Sequence, residues 1–131
     1  MMSHKEKLEL FWKIVNLINE KHFDNKLIVN KICLFEEPQS KNGMYEGLGK
    51  SINIRDREEV DAQCITLCHE LAHAYQEQIL NKYYFEEMQK FGGLMKMDKW
   101  NLEEMFHGAK FKEVHEMFCE TMKEIMGVQK V

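Results

Sequence analysis

A mostly helical α+β fold with a small antiparallel or mixed sheet is expected for this 131-residue chain, on three observations. One proline and seven glycines leave few turn signals for an all-β protein. Ten methionines, with abundant Glu, Lys and Leu, favour helices. Apolar residues recur at three- and four-residue steps near both ends of the chain, and only two short stretches between them have strand character. The length falls below the roughly 150 residues used as a domain prior, so one domain over residues 1–131 is expected. Apolar residues at 44% and charged residues at 31% allow a packed core rather than disorder.

The elements follow in order. From Lys5 to Phe23, the spacing of Leu8, Phe11, Trp12, Val15 and Ile18 predicts an amphipathic helix. Asp24-Asn25 is a turn signal, and the Ile, Val and Leu of Leu27 to Phe35 predict a strand ended by Pro38. Between Gln39 and Lys50, polar residues with Gly43, Gly47 and Gly49 predict a loop or an irregular strand. Ser51-Ile52-Asn53-Ile54 alternates as a half-buried strand does. Asp56 and Glu59 have the spacing of a capping box, so a helix is expected from about Glu58 to Leu80. Asn81 to Lys99 reads as a helix that breaks at Gly92-Gly93 and then a loop. A second capping box, Asn101 and Glu104, precedes a C-terminal helix with Phe111, Val114, Phe118, Met122 and Ile125 along one face.

Charge and cysteine usage exclude some functions. Eighteen basic against 22 acidic residues give a net charge of −4, which argues against holding nucleic acid by overall electrostatics. Cys33, Cys64, Cys68 and Cys119 form no disulfide framework. The first apolar stretch is broken by Lys13, Asn16, Asn19 and Glu20, so neither a signal peptide nor a membrane span is expected, and a reducing, cytoplasmic setting follows.

The residues that carry chemistry are His69-Glu70-Leu71-Ala72-His73, an HExxH pattern on the predicted second helix. Histidines four apart lie about 40° from one another around a helix axis, so both imidazoles reach one ion from consecutive turns. Glu70, about 100° round, flanks that ion, where a general base must stand to take a proton from an activated water. By chance the pattern arises in roughly 4% of shuffled chains of this composition. Cys64, Cys68, Leu71, Tyr75 and Ile79 project roughly 200–280° round from His69, which makes them a core face. The four cysteines are read as core residues rather than as a second metal site.

A catalytic zinc needs a third protein ligand and an open position. Gln76 and Ile79 stand where a metzincin has glycine and histidine, so that class is excluded. Glu86, Glu87, Glu103 and Glu104 are carboxylate candidates; His107 and His115 are the imidazoles. The two histidines are eight residues apart, about 12 Å along a helix, too far to share an ion. The local sequence His107-Gly108-Ala109-Lys110-Phe111 favours His107: a residue with no side chain lets that helix end approach the first metal helix closely, and Phe111 anchors it to the core one turn later. His115-Glu116 with Cys119 is read as helix surface and core edge.

At these residues the chain resembles the SprT-like (Spartan-type) zinc metallopeptidases, from about Leu17 to Met126. The likeness is carried by Asn19 to Leu27 (NEKHFDNKL), Gly43-Met44-Tyr45, Ile52-Asn53-Ile54, the run from His69 to Gln76 (HELAHAYQ), and His107 to Lys112 (HGAKFK). HExxH is shared with many zincins; its combination with the later HGxxF is the specific part. The resemblance implies a zincin-like domain in which His69, His73 and His107 hold Zn2+, with the C-terminal helix supplying the third ligand and Glu70 as catalytic acid/base. The 33 residues between His73 and His107 are longer than in compact members, implying an inserted aromatic, Met-rich segment around Asn81–Trp100. No cysteine-rich zinc ribbon follows the last helix, so the DNA- or partner-binding module of some relatives is not expected.

A zinc-dependent peptidase acting on protein or peptide substrates is therefore the leading expectation. Ser51–Ile54, as a sheet edge beside the metal helix, would pair with extended substrate. Tyr83, Tyr84 and His115 are the candidates for stabilising the oxyanion. The alternative is a non-catalytic, zinc-stabilised interaction module with a Met-rich surface. The resemblance also implies DNA or DNA-bound proteins as partners. Yet Lys90, Lys96, Lys99, Lys110 and Lys112 are scattered among Glu86, Glu87, Glu103, Glu104 and Glu113, the pattern of a solvated mixed-charge surface.

Overall fold

Ser3 caps the first helix, α1 (His4–Phe23): its hydroxyl accepts from the Glu6 N–H while the Glu6 carboxylate accepts from the Ser3 N–H. Asp24 and Asn25 adopt left-handed backbone with φ of 52° and 63°, which ends α1 at the expected turn. The computed structural model describes residues 2–36, 42–56, 59–80 and 109–129. Among them are three α-helices, one π-helical turn and a mixed three-stranded sheet, an α+β arrangement.

The strands are β1 (Lys31–Phe35), β2 (Gly43–Glu46) and β3 (Ser51–Arg55). They are ordered β1-β3-β2, with β3 parallel to β1 and antiparallel to β2. β1 starts at Lys31 rather than Leu27, because the backbone of 27 and 28 is taken by side chains instead of a ladder. Asn19 donates to the Leu27 carbonyl and accepts from the Leu27 N–H, and Gln78 does the same at Ile28. β3 is the central strand, so it cannot edge the sheet; the glycine-containing stretch read as loop or irregular strand forms β2 and supplies that edge. The alternation in β3 is as expected, with Ile52 and Ile54 fully buried.

Helix α2 (Val60–Tyr75) is followed by a π-helical turn at Gln76–Leu80. Its N-cap, Glu59, makes no side-chain capping bond. Asp56 is occupied elsewhere: it accepts from Lys7 Nζ at 2.8 Å and Gln63 Nε2 at 3.1 Å, and pairs with His4 Nε2 at 2.5 Å. The Asp56–Glu59 capping box is therefore not formed. Asp56 instead ties α1 to the junction between β3 and α2.

Helix α3 (Ala109–Gln129) buries Phe111, Val114, Phe118, Met122 and Met126, while Ile125 is half-buried. This is the expected stripe at helical spacing, and each fully buried side chain of this kind is worth about 1.5–3 kcal/mol. Phe118 meets Phe23 edge-on at 5.6 Å and joins α3 to the end of α1. The stripe shares one core with Phe11, Ile14 and Ile18 of α1 and with Leu67, Cys68 and Leu71 of α2. Cys64 and Cys68 are buried as expected, and Cys33 and Cys119 are half-buried. Burial, with Asp61 nearby, pushes the Cys64 thiol up to about 12; its hydrogen bond to Cys119, then burial, pushes Cys68 up. Ile79 departs from the predicted core face and is exposed, since the wider i→i+5 turn after Tyr75 breaks the helical phase. No helix among the described residues is long and apolar enough to cross a membrane.

Candidate metal centre

His69 and His73 stand on successive turns of α2 with ring centroids 4.9 Å apart and ring planes at 79°. One ligand atom from each, with one from Glu70, all lie within 4.8 Å of one another. Both histidines are half-buried, and Glu70 is only 5% exposed. The π-helical turn orients one ligand: His73 Nδ1 lies 2.9 Å from Gln76 Oε1. An amide oxygen only accepts, so in this contact Nδ1 donates, the tautomer in which Nε2 is the acceptor nitrogen of the ring. Two imidazoles, one oriented in this way, beside a buried carboxylate are a donor set that suits a divalent transition metal.

Phe111 of α3 is the platform beneath the pair. Its ring lies 5.0 Å from His69 and 4.8 Å from His73, and it stacks with His115 at 6.1 Å. The expected anchoring by Phe111 is thus present, and it puts the start of α3 against the motif. His115, read from sequence as helix surface and core edge and also named as an oxyanion candidate, lies with its ring 5.5 Å from that of His69 and lines the same cleft. The i, i+4 spacing from Phe111 carried that signal, because two rings at that interval share a helix face. His107, the expected third ligand, lies outside the described residues, as do Glu86, Glu87, Glu103, Glu104, Tyr83, Tyr84 and the segment Asn81–Trp100.

The cleft, of about 800 Å³, runs between α2 and the edge strand β2. Gly43 permits their approach: a Cβ there would lie 2.6 Å from Thr66 Cγ2, 3.1 Å from the Asn53 carbonyl oxygen and 3.4 Å from Glu70 Cγ. The Arg55 N–H donates to the Asn42 carbonyl at 2.8 Å, so 42 and 55 are a hydrogen-bonded pair. Pairing alternates along an antiparallel ladder. Met44 and Glu46 therefore turn their backbone groups toward β3, and Gly43 and Tyr45 turn theirs outward. Among the described residues no strand occupies that outer edge.

At the far end of the cleft, the Tyr45 hydroxyl donates to Glu77 and accepts from Gln78 Nε2 at 3.1 Å. Burial, then the Glu77 hydrogen bond, pushes the phenol up to about 12. Glu77 also faces Lys50 at 3.6 Å. These contacts hold the π-helical turn, and with it Gln76, against the sheet. Sequence reasoning did not single out Gln76 in this role; its place three residues after His73 on a helix was the available signal. Comparison of the chain with family models, with curated proteins and with solved structures finds no match.

Proposed function

We propose that this protein is a zinc-dependent metallopeptidase of the SprT-like type, with a zincin-like catalytic domain. His69, His73 and His107 hold the metal, and Glu70 is the general base. The observation that carries the proposal is the convergence of His69, Glu70 and His73 within 4.8 Å on the wall of a cleft edged by β2, whose outer side no strand occupies among the described residues. Support for His107 comes from Phe111, four residues after it, whose ring packs against both metal-facing histidines. When bound, zinc brings the pKa of a water toward about 7 and polarises a carbonyl oxygen.

The chain's own residues do the rest. An extended substrate pairs with the outward backbone groups of Gly43 and Tyr45, which brings its peptide bond across Glu70. The Glu70 carboxylate accepts the proton of the attacking water and returns it to the leaving amine nitrogen. Gln76 keeps the His73 ring oriented throughout. Glu70→Gln is expected to retain zinc and to cleave fluorescently labelled casein at less than about one-hundredth of the wild-type rate. Undiminished cleavage by that variant refutes the assignment. Bound zinc with no proteolysis by the wild type supports the interaction module instead.

A further inference from the structure

We propose that His115 is a further catalytic residue, whose imidazole donates a hydrogen bond to the carbonyl oxygen of the scissile peptide as that oxygen gains charge. The inference rests on the peptidase reading and adds to it a residue from a different helix.

Ile65, His69 and His73 follow one another at four-residue intervals along α2, and His115 of α3 sits at the Ile65 end of that row. Its ring meets that of His69 at 5.5 Å and 83°. It is not one of the residues whose ligand atoms converge within 4.8 Å. It stands beside the donor set rather than in it, where a carbonyl oxygen directed at the metal would need a partner. Phe111, stacked on the ring at 26°, holds it on a packed helix, so the donor is placed before substrate arrives.

His115 also has spare bonding capacity. His115 Nε2 has two partners, the Ile65 carbonyl at 3.5 Å, at the outer limit of a hydrogen bond, and Cys119 Sγ at 3.6 Å, a weak sulfur contact. Nδ1 has no partner among the described residues. Either neutral tautomer therefore has an N–H that a substrate oxygen can take with little loss, and the role requires no change of charge. Two other hydroxyls of the cleft are already committed, Tyr45 to Glu77 and Thr66 to the Ala62 carbonyl at 3.1 Å.

The test compares zinc-loaded wild type, His115→Ala, His115→Gln and Glu70→Gln. The readouts are zinc per chain, kcat and KM on labelled casein, and the calorimetric Kd of a phosphinic pseudopeptide, a tetrahedral mimic of the attacked carbonyl. His115→Ala is expected to keep its zinc and to lose about 100- to 1000-fold in kcat with little change in KM. Its affinity for the phosphinate should fall by a similar factor. His115→Gln, which restores an N–H, should recover part of both losses, and it carries the test should the alanine variant not fold. Wild-type kcat in both His115 variants, beside an inactive Glu70→Gln, overturns this inference and leaves the peptidase reading standing. So does loss of zinc from His115→Ala, or a fall in kcat with phosphinate affinity unchanged. A zinc-loaded wild type that cleaves nothing overturns the peptidase reading and this inference together.

Discussion

Adding one methyl group at Gly43 probes the joint between the edge strand and the motif helix. The Cβ of Gly43→Ala would lie 2.6 Å from Thr66 Cγ2. Ordinary carbon–carbon contact begins near 3.5 Å, so β2 and α2 must part by about 0.9 Å. The Asn53 carbonyl, at 3.1 Å from the same Cβ, blocks escape toward β3. Overpacking of this kind costs about 1–3 kcal/mol. At about 4 °C per kcal/mol for a domain of this length, thermal unfolding followed by circular dichroism should drop by about 4–12 °C. Because the shift opens the gap between Glu70 and the strand proposed to hold substrate, casein cleavage should fall by about 100-fold. Thr66→Ser, which removes the clashing methyl, should be mild alone and should rescue about 1 kcal/mol in the double variant. A melting temperature within 1 °C of wild type, with full activity, refutes the close approach and the substrate edge built on it.

Other consequences are testable on the same protein. Gln76→Ala removes the acceptor that orients His73 and should weaken zinc binding by about 10- to 100-fold in a chelator competition, with little change in fold. Asp56 is pushed up by burial, but its hydrogen bonds to Lys7, Gln63 and His4 outweigh this and hold it below the usual carboxylate range. Its contribution to stability is present above the unfolded-state value near 3.8 and disappears as pH falls through the lower folded value. Asp56→Asn should therefore lose about 3 kcal/mol at pH 7 by urea titration and show a flatter acid limb than wild type. His22 is held below its ordinary value, by burial first and Lys21 second, so it too withdraws stability as acid protonates it.

The helices were legible because each is governed by its own periodicity. The apolar spacing marked the buried faces of α1 and α3, and HExxH placed two imidazoles and a carboxylate together on α2. Less legible were the features set by partners distant in sequence. Asp56 has the spacing of a cap, but Lys7 from another helix takes its carboxylate. Leu27 and Ile28 have the composition of a strand, but Asn19 and Gln78 intercept their backbone groups. Whether β2 or β3 forms the edge depends on β1 pairing in parallel across the hairpin, which local alternation does not encode. The contact of His115 with His69 was not legible, because the ring it meets is 46 residues away in the chain.

Whether the imidazoles of His69, His73 and His107 hold a metal is decided by the zinc content of the purified chain, set beside that of His69→Ala and His107→Ala with folding checked by circular dichroism. About one zinc per wild-type chain is expected, with a loss of more than about tenfold in affinity for each folded variant. A wild type that takes up no zinc, or a His107→Ala protein that holds it as tightly as wild type, contradicts a metal gripped by these three imidazoles.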